Sequence, residues 1–136
     1  MPTRSFEDVK EGDAIPPFVV ENLSRTDLVK YAGASGDFNP IHIDEDFARQ
    51  VGLPGKILHG LWTMAQVARA QTEAGGDPGS LKRLSVQFRG MGLPERELTV
   101  TGTVRESGDG RAIVDTVAEQ DGNQIIRNAE AELDLS

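Results

Sequence analysis

Two hydrophobic periods divide the chain near residue 80. Upstream, apolar positions recur at helical spacing. Ser24 stands where an N-cap belongs, with Asp27 at the capping-box position, and Leu28, Tyr31 and Ala32 follow on one face until Gly33, Ser35 and Gly36 end the helix. A strand over Ile15–Leu23 is predicted before it, entered through Pro16 and Pro17, which suit a strand start or edge because proline cannot donate to a central ladder. Residues Asp37–Pro54 are polar and aromatic, with an Asn39-Pro40 turn and a short helix over Glu45–Gln50 closed by Gly52. Ile57–Ala70 is apolar on nearly every side, which predicts a buried helix, stopped by Gly75-Gly76-Asp77-Pro78-Gly79. Downstream the period becomes two: Leu84, Val86 and Phe88 alternate with polar residues, as do Leu98, Val100, Gly102 and Val104. Ser107-Gly108-Asp109-Gly110 and Asp121-Gly122 read as hairpin turns, with strands over Ile113–Ala118 and Gln124–Leu133.

Strand, helix, loop, long buried helix and four strands in meander make an α+β fold, one antiparallel sheet wrapped around one helix. The whole chain, 1–136, is expected to be a single domain. Such a wrap leaves a sheet edge unpaired, and pairing it with a second chain removes the exposed row of N–H and C=O groups, so a dimer is expected.

Composition narrows the chemistry. There is no cysteine and there are two histidines, His42 and His59, which removes disulfide scaffolds, thiolate metal sites and cysteine nucleophiles. The 14 Lys and Arg residues against 22 Asp and Glu give a net charge of −8, which disfavours nucleic acid as a partner. Met1–Lys10 carries charge without an apolar targeting core, and no stretch reaches the roughly 20 apolar residues of a membrane span. A cytoplasmic address with no membrane contact is the expectation.

One segment concentrates reactive groups: Tyr31-Ala32-Gly33-Ala34-Ser35-Gly36-Asp37-Phe38-Asn39-Pro40-Ile41-His42, followed six residues later by Ala48. Asn-Pro between Asp37 and His42 forces a bend, so both side chains can face one pocket, where they can hold a water and exchange its protons. Taken alone, the pair reads more simply as an Asx-capped turn with a core-facing histidine. The longer string resembles the hydratase-2 signature of MaoC-like proteins, (R)-specific enoyl thioester hydratases and dehydratases. That resemblance implies a hot-dog fold with Asp37 and His42 as catalytic dyad, Asn39 shaping and hydrogen-bonding the pocket, and the Gly60 N–H of Ile57-Leu58-His59-Gly60-Leu61 binding the thioester oxygen. Glycine at a helix N-terminus exposes an N–H of positive dipole character, which suits an enolate oxygen. His59 reads as a capping or packing residue outside the catalytic set.

The reaction so implied is reversible hydration of trans-2-enoyl thioesters to (3R)-3-hydroxyacyl thioesters in fatty acid metabolism. No metal and no separate cofactor are expected, coenzyme A or phosphopantetheine being part of the substrate. His42-x-Asp44-Glu45-Asp46 lacks the glycine and terminal glutamate of a calcium loop, and Gly75–Gly79 lacks the Gly-Lys-Ser/Thr of a phosphate loop. Lys82, Arg83 and Arg89 are candidate receivers of the thioester's phosphates, or ordinary surface charges. Partners are an acyl-CoA or acyl carrier protein thioester and a second subunit, either a copy or a homologous chain. Alternatives are the catalytic subunit of a heterodimeric dehydratase for long-chain elongation, a hot-dog thioesterase and a non-catalytic acyl-binding subunit.

Overall fold

A computed structural model describes residues 9–21 and 23–135. The N-terminal stretch 1–8, most of the segment read above for targeting signals, lies outside the described residues, as does residue 22, inside the first predicted strand. In chain order the elements are β1 (Phe18–Val20), α1 (Arg25–Ser35), α2 (Glu45–Gln50), α3 (Gly60–Gly75), β2 (Leu81–Phe88), β3 (Leu98–Gly108), β4 (Arg111–Gln120) and β5 (Asn123–Asp134). Single 3-10 turns at Pro40–His42 and Pro78–Ser80 punctuate the loops.

Local chemistry explains most boundaries. Ser24 caps α1 through a reciprocal box: its Oγ accepts from the Asp27 N–H, and the Asp27 carboxylate accepts from the Ser24 N–H. The Ser24 N–H, and then the Ser24 hydroxyl, donate to the Asp27 carboxylate and hold it below its ordinary pKa. Gly36, at φ 74°, closes the helix in the left-handed region, while Gly33 sits inside it. In both hairpin turns the paired residues, Asp109-Gly110 and Asp121-Gly122, have positive φ, as a two-residue turn that follows strand twist requires.

The five strands form one antiparallel sheet in the order β1-β3-β4-β5-β2. This corrects the expected four-strand meander. Only β3, β4 and β5 are consecutive; β2 pairs with β5, Leu84 opposite Ala131, and so occupies the far edge. Residues 89–97 then carry the chain across to β3. Gln120 holds that crossover with three side-chain bonds, accepting from the Leu93 N–H at 2.8 Å and donating to the Leu93 carbonyl at 2.9 Å and the Arg96 carbonyl at 3.5 Å. The first strand is also shorter than Ile15–Leu23. Its start is reduced to an isolated bridge, Ala14 with Thr103, and a bond from the Ile15 N–H to the Gly102 carbonyl, because Pro16 and Pro17 have no N–H to extend the ladder.

The sheet curls around α3. Val67, Ala70 and Ala74 of the helix pack against Val100, Val114, Ile126, Ala129, Ala131 and Leu133 of the strands. Gln71, fully buried, donates to Thr116 Oγ1 at 2.8 Å and ties helix to sheet through a polar bond inside an apolar layer. Two expectations about this helix change. It begins at Gly60, since Ile57, Leu58 and His59 are spent on bonds to neighbouring loops, and it is not covered on every side: Leu61 is 65% exposed and Ala65 is exposed too. No helix among the described residues is long and apolar enough to cross a membrane.

Candidate active site

Asp37, Asn39 and His42 occupy one tight bend after α1. Gly36 redirects the chain, and three short bonds within the segment then shape it. The Asp37 N–H donates to Ser35 Oγ, the Asn39 N–H to Asp37 Oδ1 and the Ile41 N–H to Asn39 Oδ1, each at 3.2 Å. Pro40 begins the 3-10 turn that delivers His42 inward. The result is asymmetric: the His42 ring is buried, while the Asp37 side chain is half exposed.

His42 Nε2 stands 3.8 Å from Asp37 Oδ2, beyond a direct hydrogen bond and close enough for one water to touch both. The other ring nitrogen is committed. His42 Nδ1 lies 2.8 Å from the Ile57 carbonyl oxygen, which only accepts, so Nδ1 carries the proton and neutral His42 presents a lone pair at Nε2 toward Asp37. A base and a carboxylate that one water lying beside them can touch at once form an arrangement suited to proton abstraction.

Asn39 spends its side-chain oxygen on the turn; among the described residues its amide nitrogen makes no hydrogen bond, so it is free to donate into the bend. Gly60 opens α3 with His59 as its N-cap residue, and His59 supplies no side-chain cap. The first N–H groups of a helix have no acceptor within it. A Cβ on Gly60 would stand 3.2 Å from the Phe88 ring, so the glycine lets Phe88, at the end of β2, close over the helix start.

The sequence did not single out the residue that joins these parts. His59 is 1% exposed, stacks on His42 with ring centroids 3.9 Å apart and planes 22° apart, and meets the edge of Tyr31 at 4.8 Å. Its Nε2 lies 3.1 Å from the Asp37 carbonyl oxygen and therefore carries the proton, which leaves Nδ1 as a buried lone pair without a hydrogen bond. A histidine directly before the glycine of a helix start was the available signal, but nothing in the sequence showed that its ring reaches back to residue 37.

Burial keeps the His59 pKa below its ordinary value of 6.5; the bond to the Asp37 carbonyl opposes this, and the neighbouring His42 adds to it. The sign follows. The unfolded chain binds the proton more readily, so this contribution to stability is complete above about pH 6.5 and is lost as pH falls toward the lower folded value. The urea midpoint is expected to fall between pH 7.5 and 5.5 in the native chain and to fall less in His59→Phe; equal slopes in the two proteins would refute the linkage.

One ligating atom each of Asp37, His42 and His59 lie within 4.8 Å of one another. The two imidazoles are stacked, so their remaining lone pairs lie in nearly parallel planes, which is a poor geometry for meeting at one tetrahedral ion. The donor set fits a metal poorly.

Trp62 is half-buried and lines an open groove of about 510 Å³ between α1 and α3, together with Leu23, Tyr31 and Gln66.

Comparison with known proteins bears on the family and the fold. Residues 12–124 match the family described as MaoC like domain. A fatty acid synthase subunit beta of Aspergillus oryzae is 39% identical over 127 residues, which cover 87% of this chain and 6% of that protein, so the chain spans a small part of its curated relative. A solved MaoC-like dehydratase superposes with a TM-score of 0.91 at 36% identity, covering 97% of this chain and 42% of the other. The R-hydratase PhaJ1 from Pseudomonas aeruginosa, in its unliganded form, shares the fold with a TM-score of 0.85 at 23% identity, over 96% of this chain and 84% of its own. By motif, by topology and by similarity along most of its length, the chain belongs to the MaoC-like dehydratase family and has the hot-dog fold.

Proposed function

We propose that the protein catalyses reversible addition of water to trans-2-enoyl thioesters, giving (3R)-3-hydroxyacyl thioesters. The observation that carries this reading is the pair of His42 Nε2 and Asp37 Oδ2, 3.8 Å apart, with the tautomer of His42 fixed by the Ile57 carbonyl. In hydration, a water in contact with both groups loses a proton to the pair as its oxygen bonds to C3. The electron pair of the double bond moves toward the thioester carbonyl, and the resulting enolate takes a proton at C2. The Gly60 N–H, at the positive end of α3, is the donor assigned to the enolate oxygen. Dehydration runs through the same groups in reverse. Asn39 donates its free amide to the bound water or hydroxyl. The name of the R-hydratase with the shared fold supports the stereochemical assignment, and the fatty acid synthase relative supports an acyl chain as cargo.

The reaction needs neither a metal nor a redox cofactor, since proton transfer and a backbone donor supply each step. Arg89, one residue after the end of β2, is the cation we assign to a phosphate of coenzyme A or phosphopantetheine. A second subunit, a copy or a homologue, covers the exposed Leu61 and Phe88 and the free edge of β2.

The test follows loss of the conjugated-enoyl ultraviolet absorbance with crotonyl-CoA and longer analogues, with chiral analysis of the product. Formation of the (3R)-hydroxyacyl thioester at a rate unchanged by EDTA is the expected result. Release of free thiol instead would mean a thioesterase, and a rate abolished by EDTA and restored by a divalent ion would overturn the metal-free mechanism.

A further inference from the structure

The bend that carries Asp37 has few outside anchors. The bonds from the Asp37, Asn39 and Ile41 N–H groups all end two residues away, on the last residue of α1 or inside the bend itself. Among the described residues, the hydrogen bond from His59 Nε2–H to the Asp37 carbonyl, 22 positions distant in sequence, is the one that ties the stretch from Asp37 to Asn39 to a part of the chain more than three residues away. The same ring lies flat against His42. His59 therefore touches both members of the dyad, by an edge bond to the main chain of one and by its face to the other.

We propose, on the basis of the hydratase reading above, that His59 is a positioning residue that sets the gap between Asp37 and His42 and stays neutral throughout the reaction. Its proton sits on Nε2 because a carbonyl oxygen is there to accept it, and Nδ1 meets no donor or acceptor that would stabilise a second proton. Charge makes neutrality functional. The reaction places a positive charge on His42 whenever Nε2 takes a proton from water, and a second imidazolium stacked at 3.9 Å would oppose it. A neutral aromatic face does not. The groups that meet His59 are Tyr31 from α1 and Asp37 and His42 from the bend; of these, the Asp37 carboxylate raises its pKa, whereas burial and His42 act more strongly to lower it.

Two substitutions separate the bond from the stack. His59→Phe keeps an aromatic ring against His42 and loses the donor; His59→Gln keeps a donor and loses the ring. For crotonyl-CoA, His59→Phe is expected to lower kcat about 10- to 100-fold with KM within about threefold, as a displacement of a catalytic group by about 1 Å would. His59→Gln is expected to recover part of that loss if it folds. Since the protein has only two histidines, imidazole nitrogen NMR resolves both. In the native chain His42 should show the Nδ1–H tautomer and His59 the Nε2–H tautomer at pH 7, and His59→Phe should shift the His42 Nε2 resonance. A His59→Phe protein with native kcat and only a lowered Tm would overturn the proposal, as would a protonated His59 at pH 7. Should the native chain hydrate no enoyl thioester, the function fails separately. The NMR result then decides for His59: a shifted His42 resonance supports it and an unchanged one refutes it.

Discussion

Replacing His42 with alanine is expected to lower kcat for crotonyl-CoA hydration about a thousandfold, within the span general acid–base groups contribute, while KM changes less than about threefold. The expectation rests on Nε2, whose lone pair faces Asp37 because Nδ1–H is held by the Ile57 carbonyl. No other imidazole can substitute: the remaining nitrogen lone pair, on His59 Nδ1, is sealed from solvent. Alanine also strands the Ile57 carbonyl, so stability falls by about 1–3 kcal/mol, and a melting curve must show the variant folded at the assay temperature. Asp37→Asn is the companion measurement. It keeps an oxygen for the Asn39 N–H and removes the charge, with a smaller loss of about a hundredfold. A His42→Ala protein retaining more than a tenth of native kcat would remove His42 from the mechanism.

The second large effect is on stability. Leu133→Ala should cost about 3 kcal/mol, within the 2–5 typical of buried leucines, read from the urea midpoint at constant slope. Leu133 is fully buried on β5, between Leu81 of β2 and Ala112 of β4. Three of its core neighbours, Ala112, Ala129 and Ala131, are small and fixed in strands, so they cannot move in to fill the space. Against a total of roughly 5–15 kcal/mol for a domain, the variant loses a large share of its folding free energy. A loss under about 1 kcal/mol would mean that the sheet collapses around the gap far more readily than close packing allows.

Much of this was legible beforehand, and the parts that were not share a cause. The α1 cap, the α2 boundaries and the two hairpin turns depend on residues within four positions of one another, and Ser24, Asp27, Asp109 and Asp121 announced them. The place of β2 did not, because pairing with β5 or β3 is decided by which side of α3 the crossover 89–97 takes, and by Gln120 catching Leu93 from 27 residues away. The same division runs through the site. Asp37, Asn39 and His42 lie within one bend and were found from spacing and resemblance. The function of Ile57 as acceptor and of His59 as tether is long-range, made through a carbonyl and through a histidine that the sequence offers equally well as a cap. Predicted burial of α3 on all sides overreached for a related reason: apolar composition cannot distinguish a face covered by the chain's own sheet from the face at Leu61, which the sheet leaves open.

Ile57 and Leu58 bring a further consequence. The Ile57 N–H donates to the Ile41 carbonyl and the Leu58 N–H to the Gly92 carbonyl, while the Ile57 carbonyl receives His42, the His59 ring secures Asp37, and Gly60 opens the helix. Four consecutive residues thus serve as the common mounting for the proposed base, carboxylate and oxygen donor. A drift of α3 relative to the sheet carries base, carboxylate and oxygen donor along together, and their mutual spacing survives. A bend inside the tetrapeptide does not: it misaligns all of them at once. Tolerance to sequence change should therefore be generous at the far end of the helix and abruptly small across these four positions.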